Sequence, residues 1–159
     1  MEHGAEPRWL DPDERETWLA VIKALLRLPA TLDAELQRVA DVSLFEYLIM
    51  AALSEAPQRT MRLSDVAARA EGTLPRLSQA VNRMEKRGWV RRSPDPNDGR
   101  ATLGTLTDAG YDKVVAAAPG HVESVRRHVF DPLTKPQQRQ LRDIAGLVTS
   151  TIKPISAGR

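Results

Sequence analysis

Residues 64–88 read SDVAARAEGTLPRLSQAVNRMEKRG, and this stretch decides the fold. Ser64 is read as the cap of a helix running to about Ala70, accepting from free backbone N–H groups. Glu71-Gly72-Thr73 makes a turn, and a second helix spans about Leu74 to Arg87. Gly88 stands where a helix is commonly stopped by a left-handed residue. In the second helix Leu77, Ala80, Val81 and Met84 fall at i, i+3, i+4 and i+7, a stripe that must be buried.

Working outward, Trp89 to Arg92 reads as a strand, Ser93 to Gly99 is dense in turn residues, and Ala101 to Leu106 reads as the returning strand. Arg59 to Leu63 reads as a short edge strand. Upstream, Asp11-Pro12-Asp13-Glu14 is a helix start, with Pro12 at the first helical position. Trp18, Val21, Ile22, Leu25 and Leu26 form one apolar stripe, and Pro29 is expected to stop the helix. A shorter helix is expected from about Thr31 to Val39. Ser43-Leu44-Phe45-Glu46 is a capping box that opens a very apolar helix, read as the core helix and closed by Pro57.

Downstream, Thr107-Asp108 starts a long helix to about Phe130 that Pro119-Gly120 should kink. Thr134 with Gln137 caps a last helix to about Lys153. The first ten or so residues are expected to be loose, and the tail Ile155 to Arg159 frayed. A helix–turn–helix followed by a hairpin is a winged helix. The expected fold class is therefore mainly α with a small β-hairpin wing: a winged helix-turn-helix with N- and C-terminal dimerisation helices. Residues 11–58 would supply dimerisation and core helices, 59–106 the winged helix and 107–153 the C-terminal dimerisation helices, within one integrated domain.

The 159 residues carry 42% hydrophobic and 28% charged residues, an ordinary globular composition. Net charge is only +2, but it is unevenly spread. Residues 59–100 hold 10 basic and 5 acidic side chains, against 5 and 11 in residues 1–58 and 8 and 5 in residues 101–159. The positive field thus sits on the helix–turn–helix and hairpin, as a surface facing phosphates requires. With zero cysteines, disulfides, thiolate zinc sites, cysteine nucleophiles and cysteine redox sensing are excluded. Aromatics at 4% argue against a stacking platform for single strands. No apolar run approaches the length of a membrane span, and the polar, acidic N-terminus lacks a secretory pattern, so the expected location is cytoplasmic without membrane association.

At about 100° per residue, Pro75, Gln79, Asn82 and Lys86 project opposite the buried stripe, with Arg76, Ser78 and Arg83 on the flanks. That chemistry suits a major groove of duplex DNA. Gln79 and Asn82 can each pair bidentately with adenine, Arg76 or Arg83 with guanine, and Lys86 can meet phosphate. Thr73 and Ser78 near the helix N-terminus can bond phosphate, and Ser64 joins the same candidate surface. Arg83 can equally be a structural arginine pairing with Glu85 or Asp98. Arg92 and Arg100 flank the wing and can reach a minor groove, whose negative potential favours arginine.

These residues resemble the MarR family of winged-helix transcriptional regulators. Asp98-Gly99-Arg100 followed by Leu106-Thr107-Asp108-Ala109-Gly110 is similar to the family's wing signature, D-x-R, five residues, L-T-x-x-G. Arg62 to Ala67 and Met84 to Val90 are similar as well, and the likeness covers about Arg59 to Gly110. Gly99 stands where many members carry a second arginine, and the turn from Thr73 to Ser78 departs from the commoner Ser/Thr-rich form, so an operator sequence is not transferable. The resemblance implies a homodimer on a near-palindromic duplex with half-sites roughly 10 bp apart, and repression as the outcome. It implies that Asp98 shapes the wing and that Arg100 is its minor-groove residue. It also implies dimerisation through the first and the last two helices, and a small, often aromatic, effector in a cleft. Trp18, Phe45 and Tyr47 are candidates to line that cleft, with core packing as the alternative.

His121 and His128 sit seven apart near Glu123, weak ground for a metal site, and neither metal nor cofactor is expected. A rival class is a winged helix that binds protein instead of DNA. The outward Gln79, Asn82 and Lys86 argue against it, because such a face needs an apolar anchor. Nothing in the sequence assembles a catalytic set, so an enzyme is not expected.

Overall fold

The computed structural model describes residues 6–155. The expectations for the extreme N-terminus (residues 1–5) and for tail residues 156–159 lie outside the described residues. Six helices and three strands follow in the order α1 (Pro12–Ala40), α2 (Leu44–Ser54), β1 (Thr60–Arg62), α3 (Leu63–Arg69), α4 (Leu74–Lys86), β2 (Val90–Asp95), β3 (Asp98–Leu106), α5 (Asp108–Val125) and α6 (Lys135–Ser150). A short 3-10 turn, Pro57–Arg59, precedes β1, and a π-helical turn, Arg126–Phe130, extends α5.

The capping boxes form as read. Asp11 with Glu14, Ser43 with Glu46 and Thr134 with Gln137 each exchange the reciprocal pair of side-chain-to-backbone bonds that satisfies orphan N–H groups. Thr107 caps α5 and its hydroxyl also donates to the Gly88 carbonyl at 2.6 Å. Gly88 ends α4 with φ 75°, a conformation that a side chain would strain.

Pro29 does not stop the first helix: α1 runs unbroken from Pro12 to Ala40. The carbonyl that loses its partner belongs to Leu25, an exposed residue, so water can take the bond. Beyond the proline, Leu32 and Leu36 are buried, and their packing offsets the roughly 3 kcal/mol cost of an interior proline. Pro119 likewise leaves α5 helical; the irregular turn falls later, at Arg126–Phe130. Ser64 is not a cap either. Arg62 holds the N-cap position of α3 without a side-chain bond, because β1 runs directly into the helix, and Ser64 lies inside the first turn. The wing is tighter than expected. Strands β2 and β3 pair up to Asp95↔Asp98, leaving only Pro96-Asn97 as the turn, with a register shift at Pro94/Asp95. Helix α6 ends at Ser150 rather than Lys153.

The sheet is antiparallel in the order β1-β3-β2, with Val90 opposite Leu106 and Thr60 opposite Thr105. Its base joins a core built on α2, where Ile49, Met50 and Leu53 are fully buried. Val66 and Ala67 of α3, Leu77, Val81 and Met84 of α4, and Val114 of α5 complete it. In contrast, α6 buries no residue, and the first half of α1 buries none. Trp18, Leu19, Leu25 and Leu26 on α1 and Ile144, Leu147 and Val148 on α6 are all exposed.

Candidate nucleic-acid interface

Helix α4 carries the expected division of faces. Leu77, Ala80, Val81 and Met84 are at most 1% exposed, while Pro75, Arg76, Ser78, Gln79, Asn82, Arg83 and Lys86 are exposed. Thr73 caps the helix, its Oγ1 accepting from the Arg76 N–H at 3.3 Å. Its hydroxyl hydrogen is still available to an external acceptor. One open groove of about 480 Å³ runs between α3, α4 and the wing. It brings Ser64, Ser78, Asp98 and Arg100 to a common surface.

Several arginines are held from behind. Arg83 pairs with Glu46 of α2, Nε to Oε1 at 3.1 Å, although its side chain stays 56% exposed. The sequence offered Glu85 or Asp98 as its partner; the fold supplies a residue 37 positions away. Arg76 lies over the Phe45 ring at 4.1 Å. Arg87 lies over Trp89 at 4.0 Å, donates to the Asp41 carbonyl at 2.9 Å and pairs with the Asp41 carboxylate. These contacts tie α4 to the ends of α1 and α2.

Arg92 does not extend from the wing. Its Nε donates to Glu85 Oε2 at 2.8 Å, and its backbone N–H donates to Glu85 Oε1 at 2.9 Å. Its terminal nitrogen donates to Asn82 Oδ1 at 2.6 Å. Arg92 hydrogen bonding holds the Glu85 carboxyl below its ordinary range. Arg100, by contrast, is exposed, and its backbone N–H donates to Asp98 Oδ1 at 3.2 Å.

The residue that organises the wing was given no role in the sequence reading. Arg62 donates through Nε to Asp95 Oδ2 at 2.9 Å, and approaches Asp98 at 3.7 Å. Asp95 is buried and also accepts from the Asn97 N–H at 2.9 Å. That backbone bond, with Arg62, lowers the Asp95 carboxyl despite the opposing effect of burial. The Asp-Pro-Asn sequence signals the local turn, but nothing local signals a partner 33 residues upstream.

The proposed cleft residues do not come together. Phe45 is buried beneath Arg76, Tyr47 is buried in the core against His121 at 4.4 Å between ring centroids, and Trp18 is half exposed on α1. A separate cleft of about 140 Å³ lies between α1 and α5, lined in part by Glu35, Arg38, His121, Ser124 and Arg127. Glu35 accepts from the Ser124 hydroxyl and contacts His128 Nε2 at 3.1 Å; the first bond and then the second lower its pKa. Burial lowers the His121 pKa and raises that of Tyr47. The two histidines thus meet different neighbours, and among the described residues no group of three His, Asp or Glu side chains is placed to hold a metal. No described helix is long and apolar enough to cross a membrane.

Comparison with known proteins matches residues 40–101 to a model described as MarR family. The fold superposes on Sco3205 of Streptomyces coelicolor, a MarR family transcriptional regulator solved in complex with DNA, with a TM-score of 0.90 and 42% identity over 96% of this chain and 95% of that one. AbsC, a MarR family regulator of the same organism, gives 0.86 and 31% over 91% and 97%. PecS of Dickeya dadantii, an HTH-type transcriptional regulator, is 32% identical over 72 residues, 45% of this chain. The chain spans under half the length of that curated relative, 43%.

Proposed function

The chain belongs to the MarR family, and from that premise we propose that it is a sequence-specific, DNA-binding transcriptional regulator that acts as a homodimer. The observation that carries this is the division of α4: one face sealed in the core, the other polar, basic and exposed beside the Arg100 side of the wing. In this reading Gln79, Asn82, Arg76 and Arg83 face the base edges of a major groove. Lys86, Ser64, Thr73, Ser78 and the helix start at Pro75 face phosphate. Arg100, on a wing shaped by Asp98 and Arg62, meets the adjacent minor groove.

The dimer is supported by what one chain leaves uncovered. Leu141, Ile144, Leu147 and Val148 lie on a helix that buries no residue of its own, and the α1 stripe from Trp18 to Leu26 is exposed. An apolar area of that kind calls for a partner surface. A two-fold dimer presents two α4 helices to consecutive major grooves, which favours a palindromic site. A protein laid across those grooves obstructs other proteins there, which favours repression. An effector held in the α1–α5 cleft would have to be small, since that cleft of about 140 Å³ is below the range usual for drug-sized ligands, roughly 300–1,000 Å³. The relatives' role as regulators favours a non-catalytic chain.

The test is selection of bound duplexes from a random library at two salt concentrations. The expected result is an enriched palindrome with half-site centres roughly 10 bp apart, bound less tightly as salt rises. Enrichment of no sequence, or binding indifferent to salt, refutes the proposal.

A further inference from the structure

We propose that Arg92 presets the hydrogen-bonding polarity of Asn82, so that this residue selects a base by donating a hydrogen bond rather than by the two-bond pairing with adenine. The inference rests on the reading of α4 as the base-contacting helix. Its basis is the chain Glu85–Arg92–Asn82. Glu85 clamps Arg92 through both the guanidinium (Nε at 2.8 Å) and the backbone N–H (2.9 Å). The clamped guanidinium then donates to Asn82 at 2.6 Å.

A guanidinium has five donors and no acceptor. The carboxamide atom facing it must therefore be the oxygen, and this sets the orientation of the Asn82 amide. The oxygen lies on the Arg92 side, and the –NH₂ group is directed away from it on an exposed residue. Pairing with adenine requires the amide oxygen to accept from N6 while the nitrogen donates to N7. Here one of the oxygen's two lone pairs is already engaged in a charge-assisted bond, the stronger kind, which turns the oxygen toward Arg92 and weakens any second bond from N6. What remains for a base edge is a donor. It suits guanine O6 and N7 or thymine O4; at adenine it finds only N7, beside the opposing N6 donor, and at cytosine N4 it meets a like group. The clamp is rigid because Glu85 and Asn82 are one turn apart on α4 and Arg92 lies on the adjoining strand β2.

The experiment is duplex selection from a random library with the wild type, Arg92→Ala and Asn82→Asp, each checked for folding by thermal melting. The wild type is expected to enrich guanine or thymine at the position Asn82 faces. Arg92→Ala frees the oxygen and should shift that one position toward adenine by about 5- to 10-fold. Asn82→Asp keeps an acceptor for Arg92 but turns a second acceptor outward, so guanine should be lost in favour of cytosine or adenine; this arm stands even if Arg92→Ala fails to fold. If folded Arg92→Ala selects the wild-type base at every position, the clasp is refuted while DNA reading survives, even where Asn82→Asp shifts the selection. A wild type that prefers adenine at that position refutes the clasp too. If the folded wild type selects no sequence, the DNA reading itself fails and takes this inference with it.

Discussion

Replacing Gly110 by alanine puts a methyl group where the backbone of another segment already lies. A Cβ built at Gly110 would sit 2.2 Å from the Trp89 carbonyl oxygen and 2.6 Å from Leu106 Cδ1. Ordinary contact needs about 1 Å more, so the start of β2 or the first turn of α5 must move. That carbonyl is held in place by the Thr107 N–H at 3.0 Å and by the Thr107 hydroxyl at 3.1 Å, whose single hydrogen it shares with the closer Gly88 carbonyl. Losing both costs about 2 kcal/mol, and overpacking a filled site adds about 1–3 kcal/mol. Alanine returns about 1 kcal/mol of helix propensity. The net expectation is a loss of about 2–4 kcal/mol. Urea unfolding at fixed protein concentration measures it, with Gly99→Ala as control. A Cβ at Gly99 meets nothing within 4 Å, so that change should be neutral or slightly stabilising. A Gly110→Ala loss below about 1 kcal/mol, or equal losses in the two variants, would refute the packing argument. The close approach of the Trp89 carbonyl is the physical reason that this position of the wing signature is a glycine.

Arg100→Ala should weaken binding to all duplexes alike and lower the slope of log affinity against log salt by about 1; a change confined to some sequences contradicts a groove-or-phosphate role. Leu147→Asp on α6 should shift the proposed dimer to monomer in sedimentation, because two-fold symmetry buries the uncompensated charge twice at about 3–5 kcal/mol each; a dimer that persists unchanged rules this face out. Because the folded Asp95 carboxyl lies below its unfolded value, its contribution is present above the ordinary carboxylate range and lost as pH falls through the folded value. Asp95→Asn should therefore flatten the loss of stability below about pH 5, and an acid limb as steep as the wild type's would overturn that assignment.

The helix–turn–helix, its Gly88 terminus and the buried stripe of α4 were legible in the chain because they depend on neighbours within about four residues. Capping boxes, the left-handed Gly88 and the i, i+3, i+4 spacing are local chemistry, and they hold in any context. The prolines misled for the opposite reason. Pro29 and Pro119 weaken a helix locally, but whether it breaks depends on what Leu32, Leu36 and Ala117 bury against, which is a long-range matter. The interface shows the same split. Which side chains of α4 face outward follows from helical period alone. Which side chains of α4 and the wing stay available depends on partners brought from elsewhere: Glu46 to Arg83, Arg62 to Asp95, and Arg92 to Asn82. Those pairings join residues 37, 33 and 10 positions apart, and a charge or an amide acquires its hydrogen-bonding direction only when the fold sets such a partner beside it.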